Sequence, residues 1–123
     1  HIKFDANRIL VTHYSTEEYP MKMITALLHH IRVTEVVDAL NDAGYHNLML
    51  HDVKGTLKPL GEFEKTYSME ARVVISEVKL TLVCEDSDME SIVNIIRAKG
   101  SIGSDISGWV YATTIDHAWP IEG

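Results

Sequence analysis

Two stretches of this chain repeat one order of patterns, strand then helix then strand, and a long charged loop separates them. The first runs from Met21 to Gly55 as MKMITALL, TEVVDALNDAG and NLMLHDVKG. The second runs from Ala71 to about Thr114 as ARVVISEVKLTLVC, SDMESIVNIIRAKG and GWVYATT. A βαβ–βαβ order within about 95 residues predicts an α+β, ferredoxin-like domain, a fold that serves many unrelated functions. Between the halves lies TLKPLGEFEKTYSME, Thr56 to Glu70, with neither helical nor strand period. Loops of this length inside a compact domain are uncommon and more often functional than not. Function is therefore sought there first.

Local signals place the elements. Lys22 to Leu28 is apolar at most positions, as expected of a strand covered on both faces or buried at a subunit contact. Thr34 is a suitable N-cap, with Glu35 in the first turn, and Val33, Val36, Val37 and Leu40 recur at helical spacing before Gly44. Ser87-x-x-Glu90 reads as a capping box, followed by the stripe Met89, Ile92, Val93 and Ile96, with Gly100 as the stop. The first methionine is Met21, so the natural start is expected there or upstream of His1. Residues 1–20 are set apart as an N-terminal extension with one short strand expected at Arg8–Thr12, and residues 21–123 as the domain.

Composition excludes several classes. A chain of 123 residues with 46% hydrophobic and 24% charged residues is sized for one domain whose core needs no disulfide or metal. Eighteen acidic against eleven basic residues give a net charge of −7, and no Lys/Arg cluster interleaves with aromatics, which argues against nucleic acid. No apolar run reaches the ~18 residues that span a bilayer, nothing resembles a signal peptide, and a cytoplasmic location is expected. Cys84 follows an apolar strand pattern, so a buried thiol is favoured over a reactive one. No nucleophile elbow, Walker A loop, metalloprotease motif or CxxC is present, and an enzyme is not expected.

Two features carry possible chemistry. KGSIGSDISG, Lys99 to Gly108, holds three glycines and three serines in ten residues directly before a strand. Such a loop can cradle an anion through free backbone N–H groups, or serve only as a connection. Seven histidines include His29 and His30 at the end of the first strand, and His46 and His51 around the second. Neighbours on a strand face opposite ways, so His29 and His30 cannot both hold one ion from a regular strand. Ordinary surface or interface histidines are the favoured reading, and a metal site is the alternative.

The residues just read resemble the PII signal-transduction family, the trimeric nitrogen-regulatory proteins. MKMITALL is similar to that family's first strand, and DALNDAGYHNLMLHDVKG to its helix end and second strand. EVKLTLVCEDSDMESIVNIIRAKGSIG is similar to its third strand, second helix and the loop that follows. The likeness spans Met21 to about Thr114 in order, with the long loop in its place. It implies a homotrimer whose sheets face a central barrel, with adenine nucleotide in the clefts between subunits. Thr56–Glu70 would be the partner-binding T-loop and Lys99–Gly108 the nucleotide-binding B-loop.

Carried over by resemblance, the ligand-binding positions are Met49, Gly55, Thr56, Leu57, Lys58, Val83, Gly100, Ile102, Gly103 and Trp109. Met49 and Val83 would line the adenine pocket. Gly55 would admit close backbone approach, and Lys58 would keep a cation near phosphate. Most of the family's other cations are replaced: the lysine after the B-loop falls on Trp109, another on Glu77, and two C-terminal arginines on Pro120 and Glu122. Each such charge-assisted contact is worth about 1–3 kcal/mol, so triphosphate binding should weaken. The family's metal- and oxoglutarate-binding glutamine falls on Pro59, and its modified tyrosine on Arg72, with Tyr67 and Ser68 elsewhere in the loop. Trp109 and Trp119 would pack, or one would stack on adenine.

The resulting expectation is a trimeric regulator that binds ADP or AMP in preference to Mg-ATP and controls a transporter or metabolic enzyme through its T-loop. Some divergent members are linked to bicarbonate uptake or carboxysomes, and bicarbonate is a candidate second effector. The alternatives are a metal-responsive trimer, as in the divalent-ion-tolerance family of the same fold, and an interaction module with a vestigial cleft.

Overall fold

Burial along one central strand decides the layering. In β2, Met21–His29, the side chains of Ile24, Ala26 and Leu28 are buried, Met23 is exposed, and Thr25 and Leu27 are half-buried. This period of two means that within one chain the strand is covered on one face only; of the two readings of its apolar run, cover on both faces by the domain itself does not hold, which leaves burial at a subunit contact. The structure, a computed structural model, describes residues 14–15, 20–55, 75–104 and 106–122. The strand expected at Arg8–Thr12, the loop 56–70 with Thr56, Leu57 and Lys58, the residues 71–74, and Asp105 lie outside the described residues.

The other elements are β1 (Tyr14–Ser15), α1 (Val33–Asp42), β3 (Met49–Gly55), β4 (Ile75–Glu85), α2 (Met89–Gly100), β5 (Trp109–Ile115) and β6 (His117–Ala118). Strands β2 to β5 form one antiparallel sheet in the order β3-β4-β2-β5. With both helices on one face, this is the ferredoxin-like α+β arrangement that the two half-patterns predict. The core lies between sheet and helices: Ile24, Ala26, Leu28, Leu80, Leu82 and Cys84 meet Val36, Leu40, Ile92 and Ile96. Val33, Val37, Met89 and Val93 pack at its margin, so both helical stripes face the sheet as read.

Helix starts differ from the sequence reading. A 3-10 turn at His30–Arg32 leads directly into α1, whose N-cap is Arg32 with no side-chain cap; Thr34 lies within the helix. A second 3-10 turn at Asp86–Asp88 absorbs Ser87, and the N-cap of α2 is Asp88, again without a side-chain cap. Neither the Thr34 cap nor the Ser87–Glu90 box forms, because the preceding residues are already helical where a capping residue must be extended. The stop at Gly44 does form. Gly44 sits at φ 98°, its N–H reaches the Asn41 carbonyl at 3.0 Å, and the Tyr45 N–H reaches Leu40 at 2.9 Å, a Schellman ending.

Two peripheral ties frame the sheet. Lys22 joins Asp86 at 3.2 Å and Thr114 at 2.9 Å, linking β2, the turn before α2 and β5. Strand β1 pairs antiparallel with β6, Tyr14 opposite Ala118 and Ser15 opposite His117. Tyr14 and Ser15, upstream of Met21, are therefore tied to the chain after β5.

Glycine positions give a direct test of the packing. A Cβ at Gly108 would collide with the backbone carbonyl oxygen of Leu27, whereas Gly103, at φ 65°, faces open space. Gly103→Ala should cost about 1–2 kcal/mol from left-handed strain alone. Gly108→Ala should cost more, about 3 kcal/mol, because strand β5 must move off β2. Urea midpoints of the two variants check this order.

Candidate functional site

The end of the sheet where β2 finishes gathers the features singled out from sequence. There β2 ends at His29 opposite Glu77, β3 ends at Gly55 opposite Ile75, and β5 begins with Trp109 opposite Leu27. Gly55, after which the segment 56–70 begins, and the loop that precedes β5 thus share one end of the sheet. They leave from opposite edges of the sheet, however, since β3 and β5 are its outer strands. Three strand spacings, about 14 Å, separate those edges.

The loop before β5 is held by its own serine. The Ile102 N–H donates to Ser107 Oγ at 2.8 Å, and that hydroxyl donates to the Ile102 carbonyl at 2.9 Å. One N–H expected to be free for an anion is therefore already used within the loop. Gly103 makes the turn between them, and Gly108 presses the chain onto Leu27. Gly100, read as a loop glycine, is the buried last residue of α2; a Cβ there would lie 3.0 Å from Leu28 Cδ2. Its role is close packing of helix on sheet.

Beside this loop opens a cleft of about 470 Å³, a size that suits a small ligand. Leu28, Val93, Ile96 and Val110 supply apolar walls, and Arg97, Ser101 and Ser107 supply polar groups. Trp109 also lines it. Neither Arg97 nor Ser107 stood out in the sequence: Ser107 was one serine among three in the loop, and Arg97 one charge on a helix surface.

The sheet face opposite the helices is open in the single chain. Register places Met23, Val83 and Thr113 in one row, Met49, Thr81, Thr25 and Tyr111 in the next, and His51, Lys79, Leu27 and Trp109 in a third. Met49 is 54% and Val83 48% exposed there. The Trp109 and Tyr111 rings stack, with centroids 6.5 Å apart and planes 18° from parallel. Of the expected ligand positions, Gly100, Ile102, Gly103 and Trp109 cluster at the β5 loop. Met49 and Val83 stand on the open face, and Gly55 lies at the far edge.

Titratable groups also meet at this end. The chain leaves the strand at His30, so the His29 and His30 rings stack with centroids 4.5 Å apart and do not face opposite ways as a regular strand would require. His29 Nδ1 accepts the Ile31 N–H at 3.3 Å. Burial, and then the charge of His30, hold the His29 imidazole below its usual range. Burial pushes the Glu77 carboxyl up, with His30 opposing. One Glu77 carboxylate oxygen and the Thr81 hydroxyl are buried without a hydrogen-bond partner among the described residues. Cys84 is buried in the core, and burial with Asp88 and Asp86 raises its thiol to about 11, so it is the inert thiol expected. Among the described residues, no group of three or more His, Cys, Asp or Glu is placed to hold a metal.

His29 should therefore titrate below the ordinary histidine value of 6.5 in proton NMR. His30→Ala should raise that midpoint only part of the way, because burial is the larger cause and remains.

With this geometry in view, comparison with known proteins is specific. The family model described as nitrogen regulatory protein P-II matches residues 21–122. A nitrogen fixation nifHD region GlnB-like protein 1 of Methanothermobacter marburgensis is 32% identical over 103 residues, covering 83% of this chain and 94% of that protein. Nitrogen regulatory protein P-II of Azospirillum brasilense is 27% identical over 97 residues, covering 78% of this chain and 87% of its own. Among solved structures, Arabidopsis thaliana PII bound to citrate superposes with a TM-score of 0.63 over 81% of each chain; at 17% identity this bears on the fold alone. A match across nearly the whole described domain, on the fold just built, shows that this chain belongs to the nitrogen regulatory P-II family.

Proposed function

We propose that the chain is a homotrimeric signalling protein that binds an adenine nucleotide between subunits and regulates a partner through residues 56–70. P-II family members are regulatory signal-transduction proteins rather than enzymes. One observation carries the nucleotide reading furthest: the loop root at Gly55 and the loop before Trp109 share one end of the sheet but leave from opposite edges. A second copy placed edge to edge unites them, and neither loop need cross the sheet. The open face supports the same assembly, since it exposes Met23, Met49, Val83 and Tyr111 and carries the unpartnered oxygens of Thr81 and Glu77.

The mechanism is a population shift. Ligand in the cleft, in contact with Gly55, Lys58 and residues 99–108, favours one arrangement of the loop 56–70, and the partner binds that arrangement. Thr56 and Leu57 complete the loop root, while Met49 and Val83 face the nucleobase. Trp109, Glu77, Pro120 and Glu122 stand where the family's cations are expected, which disfavours Mg-ATP relative to ADP or AMP. The partner is a transporter or metabolic enzyme. The relatives' names, from a nitrogen fixation region and from nitrogen regulation, favour nitrogen metabolism over bicarbonate uptake.

Calorimetric titration with AMP, ADP and ATP, with and without magnesium and bicarbonate, tests this reading. The expected result is micromolar binding, on the order of −8 kcal/mol, with ADP or AMP at least as tight as Mg-ATP. Binding of none of them would overturn it, and tight Mg-ATP binding would overturn the stated preference.

A further inference from the structure

We infer that His29 is a proton-sensitive latch: its neutral ring holds the turn His30–Arg32 closed, and its protonation releases that turn and charges the sheet face that other copies cover. The inference rests on the assembly proposed above and adds a regulatory residue to it. The ring caps the turn, with Nδ1 accepting the Ile31 N–H at 3.3 Å. A lone pair stands on Nδ1 only while the ring proton sits on Nε2, and an imidazolium carries protons on both nitrogens. Protonation therefore costs the turn its cap. It also sets a cation against the stacked His30 ring, centroids 4.5 Å apart, whose own charge repels it.

Register carries the rows of the open face on to Val53, Glu77 and His29, so His29 stands on the face away from both helices. Cover by a second copy removes the ring from water, and burial favours its neutral form. The lost cap, the repulsion from His30 and the desolvation all act in one sense: the proton binds better to the opened turn and the separated chain. His29 accordingly titrates below the ordinary value of 6.5, through burial and then the charge of His30. Its contribution is full above that value and is lost as pH falls through the lowered one. The other titratable and charged groups around it are His30 and Arg32 in the turn, Glu77 and Lys79 on β4, and His51 on β3. Glu77 opposes the latch, because burial raises its carboxyl and so favours cover of the face as pH falls. The turn packs on β4, and Gly55 lies one row beyond Glu77 on the same face. The latch therefore works beside the start of the segment 56–70.

The test follows the full chain between about pH 7.5 and about pH 5.5, the range in which histidine changes charge. NMR reads the Ile31 amide and the His29 ring, and sedimentation equilibrium reads association. The Ile31 amide should shift with the same midpoint as the His29 ring, and association should weaken by about tenfold or more in acid. His29→Asn keeps an acceptor at the cap and is uncharged throughout, so its association should hold within about twofold across the range. His29→Lys carries a charge and no acceptor, and should associate weakly already at the upper pH. Glu77→Gln, without the opposing carboxyl, should lose at least as much association in acid as the unaltered chain. Circular dichroism of each variant separates a lost cap from a lost fold. Three results would each overturn the inference: an Ile31 amide indifferent to the titration of His29, acid loss in His29→Asn as strong as in the unaltered chain, or no acid loss in Glu77→Gln. A single chain at the upper pH would overturn the assembly reading, and the Ile31 amide alone would then decide the latch.

Discussion

A four-stranded sheet with helices on one side only has a second face that must find cover, and much of this protein follows from that constraint. Here the covered face is filled by Ile24, Ala26, Leu80 and Leu82 against Val36, Leu40, Ile92 and Ile96. The other face holds Met23, Met49, Val83, Trp109 and Tyr111, each more than a third exposed. So many large apolar side chains exposed on one sheet face mark a candidate interaction surface. Thr81 and Glu77 add buried oxygens without partners among the described residues, which a neighbouring subunit can satisfy.

Cover by further copies would also resolve the geometry of the site. Within one chain Gly55, where the segment 56–70 begins, and the loop before β5 share an end of the sheet but not an edge. The loop before β5 is held by its serine and glycines, and Gly55 is held by the pairing of β3 with β4. Elements that meet only after assembly would make ligand binding and subunit contact parts of one equilibrium. The stacked histidines and the protonation-prone Glu77 sit at that same end, at the base of the long loop.

The α+β fold class and the helical faces of the core were legible from sequence wherever a local pattern had one structural solution. Val36, Leu40, Ile92 and Ile96 recur at helical spacing, and Gly44 supplies a left-handed stop; all behave as read. Thr34 and Ser87 do not, because each cap motif was judged from residue type, while 3-10 turns had already bent the preceding backbone into helical angles. The site was less legible. Gly100 is a packing glycine set by Leu28, and Gly108 is required by Leu27, contacts made across some 70 to 80 residues that no local pattern carries. Ser107 matters through one hydroxyl bridging a turn, a role invisible in a run of glycines and serines. Resemblance supplied Met49 and Val83, which periodicity alone would have left as ordinary strand residues.

The account stands or falls on what covers the open sheet face. Native mass spectrometry of the ligand-free protein at micromolar concentration measures it directly. Three chains per particle is the predicted result. A stable single chain, with Met23, Met49 and Val83 still open to solvent, would contradict the account.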